Sequence, residues 1–140
     1  MLLNVSYNDV RTTEKIKTGV GPPFTLKERH ALKGIGSPKL LITAASTDIH
    51  NLLILDNNIN SCNIEMRPRG IIVRFRSLLE TFALIVPYYK LALYKEKADE
   101  YGIYKDHYFI KVRTDKKGHD FMRKMLHYKA DNAPPQIDDL

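Results

Sequence analysis

The sequence predicts a mainly β, α+β chain: about seven short antiparallel strands followed by one amphipathic helix at the C-terminal end. Three observations carry this expectation. The stretch IEMRPRGIIVRFR, residues 64–76, sets two alternating apolar runs around a Pro-Arg-Gly corner, the pattern of a hairpin. Residues 77–95 abound in Val, Ile, Thr, Phe and Tyr and hold Pro87 where a helix would be broken in mid-course. Phe121, Met122, Met125, Leu126 and Tyr128 then recur at three- and four-residue steps among Lys116, Lys117, Arg123, Lys124 and Lys129, which makes one apolar stripe on a helix.

Taken in order, residues 1–24 show no sustained period and close on Gly19-Val20-Gly21-Pro22-Pro23, so they read as an irregular lead-in. Thr25-Leu26-Lys27-Glu28 has capping-box spacing and predicts a short helix, stopped by Gly34 and Gly36. KLLITAA (39–45) and NLLILD (51–56) read as two buried strands with a short polar link. In the 64–76 stretch, a type I turn over Arg67-Pro68-Arg69-Gly70 sets Met66 opposite Ile71, Ile64 opposite Val73 and Cys62 opposite Phe75, all on one side. The other side carries Asn63, Glu65, Ile72, Arg74 and Arg76, with Arg74 diagonal to Glu65 and within reach of an ion pair. Residues 77–95 give two strands joined at Val86-Pro87, 96–100 a charged loop or single helical turn, and 101–113 a second hairpin turning at Lys105-Asp106. Thr114-Asp115 offers the cap of the final helix, and DNAPPQIDDL after it is acidic and expected to be mobile.

A chain of 140 residues can bury one proper core without disulfides or metals. Its 44% hydrophobic and 27% charged residues exclude the disordered, collagenous and membrane classes. The longest apolar run, 82–86, falls far short of the ~18 residues a spanning helix needs. The first residues show neither a basic n-region nor a small-residue cleavage site, so no signal peptide is expected. Cys62, alone, fits a reducing compartment, and a cytoplasmic location is the expectation. The net charge of +6 is uneven, with seven basic against five acidic residues in 1–61, fifteen against eight in 62–130, and none against three in 131–140. A positive field on the middle segment favours anionic partners.

The run ALIVPYYKLALYK, the hairpin GIYKDHYFIKV and the helix GHDFMRKMLHYK resemble the bacterial PH-like and GRAM-like domains of the pleckstrin-homology-like superfold. There an "IPY"-like strand, here Val86-Pro87-Tyr88, precedes the last hairpin and helix. The resemblance covers residues 39–130, leaving 1–38 as an N-terminal extension with its short helix and 131–140 as the acidic tail. It implies an antiparallel β-barrel or sandwich plugged by the helix. It also implies a non-catalytic binding or adaptor module for an anionic lipid surface or a protein partner.

Arg67, Arg69, Arg74 and Arg76 are the candidate anion-binding residues, because guanidinium forks match phosphate oxygens in a bidentate way. The plainer reading pairs Arg74 with Glu65 and leaves Arg76 in water. No metal or cofactor is expected: His119 and His127 stand ~12 Å apart along the helix. The DNNIN stretch, 56–60, has calcium-loop oxygens but Ser61 where the loop needs Gly and Arg67 where it needs an acid. The Gly19/Gly21 and Gly34/Gly36 pairs lack the context of a phosphate loop, Cys62 lies on the apolar side, and no Gly-x-Ser-x-Gly occurs, so no enzyme is expected. Tyr88, Tyr89, Tyr94, Tyr101, Tyr104 and Tyr108 among basic residues keep nucleic-acid stacking as the alternative.

Overall fold

The computed structural model describes residues 1–55 and 59–132. Its strands are β1 (Leu2–Asn4), β2 (Leu40–Ala45), β3 (Ser61–Arg67), β4 (Gly70–Ser77), β5 (Glu80–Pro87), β6 (Ala92–Lys97), β7 (Glu100–Lys105) and β8 (Tyr108–Arg113). The helices are α1 (Val10–Val20), α2 (Leu26–Ala31), α3 (Thr47–Leu53) and α4 (Lys116–Asp131), with a 3-10 turn at Tyr88–Lys90. The strands form one antiparallel sheet in the order β1-β5-β4-β3-β2-β8-β7-β6.

The 64–76 hairpin forms in the register its side-chain pattern dictates, with Cys62, Ile64 and Met66 paired to Phe75, Val73 and Ile71. A one-residue slip would turn that whole apolar set to the other face, so the pattern pins the pairing. The capping box also forms: Thr25 Oγ1 accepts the Glu28 N–H at 3.2 Å while Glu28 Oε1 accepts the Thr25 N–H at 3.0 Å. At the other end Asp115 caps α4 by accepting the Gly118 N–H at 3.3 Å, and Phe121, Met122 and Met125 enter the core.

Three expectations are corrected. The sheet has eight strands instead of seven and does not close, since β1 and β6 stand as its two edges, so the plugged barrel of the pleckstrin-homology-like layout is not formed. Of the strand expected over 51–56, the described residues 51–55 form none: Ile49 and Leu53, one turn apart, are buried on α3, while Ile54 and Leu55 after it are exposed. The apolar run NLLIL spans the end of that helix, and a short run of this kind does not separate the two periods. The lead-in is not irregular either. β1 pairs with β5, Leu2 facing Leu84, and α1 is capped by Asp9, whose carboxylate accepts the Arg11 N–H at 3.0 Å.

The main core lies on one face of the sheet, where Leu40, Ile64, Ile71, Val73, Leu84, Ile103 and Ile110 meet α3 and α4. A second, smaller core lies on the opposite face of β4 and β5, where Ile72, Ala83 and Ile85 pack under Ile16 and Val20 of α1. Strands buried on both faces read as continuous apolar runs, which is why IIV and ALIV carry no alternation. The otherwise polar face of β4 is therefore interrupted by Ile72, which holds α1 in place.

Candidate functional site

The four arginines divide into two pairs. Arg67 and Arg69 turn back onto the chain. Arg67 is 8% exposed; its Nε donates to Glu65 Oε2 at 2.5 Å and its Nη1 to the Gly21 carbonyl at 3.1 Å. Arg69 Nη2 donates to the Lys17 carbonyl at 3.0 Å, and the Arg69 N–H to the Val20 carbonyl at 2.8 Å. These carbonyls end α1, where partial negative charge favours a cation. Gly21, at φ 94°, completes the exit, and a side chain there would meet Pro68. The Pro-Arg-Gly corner thus clamps the C-terminus of α1 onto the sheet.

Arg74 Nη1 donates to Glu65 Oε1 at 2.6 Å, the cross-strand pair expected from the hairpin register. Glu65 accordingly accepts from two guanidinium groups. Burial pushes its carboxyl up, but the hydrogen bonds and charges of Arg74 and Arg67 outweigh that and hold it below the ordinary carboxylate value.

Arg74 and Arg76 also line a concavity of about 940 Å³ that runs over β3, β4 and the segment leading into β2. Lys39 lies on its wall, together with Ser37, Asn60 and Asn63. No carboxylate occurs among its described lining residues, and no ion pair reaches Lys39 or Arg76 among the described residues. A wall with cationic side chains and no described carboxylate favours anions over cations.

At the rim stands the β4–β5 turn, Leu78-Leu79, between the paired Ser77 and Glu80. Leu78 adopts φ 57°, a left-handed conformation that leucine rarely takes, and Leu79 is 88% exposed. Ile59, 81% exposed, lines the same concavity. The C-terminal end of α3 is fixed beside this turn, because Ser77 Oγ donates to the Leu52 carbonyl. The exposed Ile54 and Leu55 follow Leu52 in the chain.

Other candidates are absorbed by the fold. Cys62 is buried, and burial pushes its thiol up to about 12, so it stays protonated. His119 Nδ1 lies 2.8 Å from Tyr101 Oη, and no three His, Cys, Asp or Glu side chains converge among the described residues. Tyr88 is buried and donates to the Arg67 carbonyl at 3.1 Å, while Tyr94, Tyr104 and Phe109 pack ring against ring. Part of the 56–60 loop and most of the 131–140 tail lie outside the described residues. Among the described residues no helix is long and apolar enough to cross a membrane.

The sequence pointed to Arg74 and Arg76 but not to Lys39, Leu78 or Leu79. The available signal was Leu-Leu at the position where a hairpin needs a turn, a place usually held by Gly, Asn or Asp. No protein-family model, curated protein or solved structure matches the chain.

Proposed function

We propose that the protein is a non-catalytic binding module that docks on a polyanionic surface, with Lys39, Arg74 and Arg76 turned toward it. The observation that carries this reading is the concavity lined by three cations and no described carboxylate, two of those cations having no ion-pair partner among the described residues. Unpaired cations gathered in a concave wall repel one another, and an anionic occupant relieves that repulsion. The other polar groups of the wall are hydroxyls and amides, chemistry suited to holding phosphate oxygens. Arg67 and Arg69 stand outside the docking face because their guanidinium groups are engaged by Glu65 and by α1.

In sequence alone, residues 39–130 resemble PH-like modules, whose closed barrel is not formed here. β2 to β5 and β6 to β8 form two meanders joined by β2–β8 pairing, followed by α4. The added β1 and the open sheet depart from that layout.

Co-sedimentation with anionic and neutral vesicles at about 150 mM salt, where the Debye length is near 8 Å, tests the reading. Binding to anionic vesicles alone is expected. Lys39→Glu with Arg76→Glu reverses two charges, a change of four charge units, and at roughly 1 kcal/mol per unit near such a surface the affinity should fall about a thousandfold. Binding that ignores this change overturns the proposal.

A protein partner is the second reading, and the outer edge of β6 favours it. Its backbone groups face no neighbouring strand among the described residues, which suits strand addition by an extended peptide.

A further inference from the structure

We propose that the Leu78-Leu79 turn inserts into the interface of an anionic lipid bilayer while Lys39 and Arg76 contact the headgroups. This rests on the anionic-surface reading above and names the surface as a membrane.

The first argument is conformational. A two-residue hairpin turn with positive φ at its first position takes glycine or asparagine without strain, yet Leu78 holds φ 57° there while 57% exposed. Leu79 beside it is 88% exposed. Turn chemistry does not call for either leucine, and core packing does not explain Leu79. An exposed residue held in a strained conformation marks a surface with work to do.

The second argument is the company the turn keeps. Ile59 lines the same concavity as Leu78 and Leu79, and the exposed Ile54 and Leu55 follow Leu52, whose carbonyl accepts from Ser77 at the end of β4. The cations Lys39 and Arg76 line the concavity behind the turn. Glu80 is the acidic residue next to the turn, and its carboxylate accepts from Asn4 Nδ2 at 2.5 Å. An apolar tip backed by cations matches the depth profile of an anionic membrane, with hydrocarbon below and phosphates above. A soluble anion would engage the cations and leave the leucines in water. An apolar protein groove would accept the leucines and leave the cations unmatched.

The chain contains no tryptophan, so Leu79→Trp introduces a single fluorescent reporter. Anionic vesicles should shift its emission to the blue and shield it from an aqueous quencher. Tyr89→Trp, beyond the opposite end of β5, should show neither effect. Leu78→Gly with Leu79→Ser keeps a sound turn and should weaken vesicle partitioning at least about tenfold. Its binding of inorganic tripolyphosphate, followed by calorimetry, should match that of the unaltered protein. If the emission of the Leu79→Trp variant stays unchanged while the protein sediments with anionic vesicles, the tip does not insert, and the anionic-surface reading stands. Tripolyphosphate binding without vesicle binding overturns insertion and the surface reading, leaving a site for a small phosphate. Binding to neither vesicles nor tripolyphosphate overturns both.

Discussion

Replacing Arg67 with alanine separates arginines that hold the fold from arginines available to a ligand. Arg67→Ala removes the 2.5 Å bond to Glu65 and the 3.1 Å bond to the Gly21 carbonyl, from a side chain that is only 10% exposed. Bonds involving charged groups are worth about 1.5–3 kcal/mol, and the carbonyl and half of the carboxylate left without a donor add their own desolvation cost, so a loss of about 3 kcal/mol is expected. With a urea m-value of about 2 kcal/mol/M for a domain of this size, the unfolding midpoint should fall by roughly 1.5 M. Arg76→Ala removes an exposed side chain with no ion-pair partner among the described residues, and should change stability by less than about 0.5 kcal/mol. Far-ultraviolet circular dichroism during urea titration reads both variants. Equal midpoints for the two would refute the division of the arginines into a clamp and a docking pair.

Three further expectations rest on the same geometry. Because the folded pKa of Glu65 is depressed below its ordinary 4.5, the stability it contributes is present above that pH and is lost as pH falls through the lowered value; Glu65→Gln should flatten this acid limb, and an unchanged pH profile would contradict the pairing. Gly70→Ala would drive a methyl into the Val86 carbonyl and to 2.5 Å from Val20 Cγ1, so a loss above about 2 kcal/mol is expected in urea titration, and a neutral effect would show that α1 is not tightly seated. Cys62, buried with its thiol at about 12, should resist an aromatic disulfide reagent until denaturant is added; rapid labelling of the folded protein would contradict its burial.

Where local chemistry and side-chain pattern agreed, the sequence was readable. The 64–76 hairpin and the final helix each carry two independent signals, a turn or cap residue and a matching period, and the Thr25 helix carries a capping box and a glycine stop. The N-terminal elements carry one weak signal or none. β1 is three residues long, too short to show alternation, and α1 buries only Ile16 and Val20. Its partner Ile72 reads as a single misfit on a polar strand face, and only the fold reveals the helix above it. The site was half legible for a similar reason. Guanidinium groups are visible in sequence, but whether they face a carbonyl or open solvent depends on α1, which the sequence did not announce. Lys39 joins Arg74 and Arg76 only because β2 pairs with β3, a contact between distant segments.

If the docking assignment is right, anion binding belongs to the concavity and not to the net charge of the chain. Co-sedimentation with anionic vesicles should therefore compare Lys39→Glu/Arg76→Glu with Lys116→Glu/Lys117→Glu, an identical charge change at the exposed start of α4. Loss of binding in the first variant, with binding largely kept in the second, is the expected result. Equal losses in both would show a general electrostatic attraction and contradict the assignment of the site.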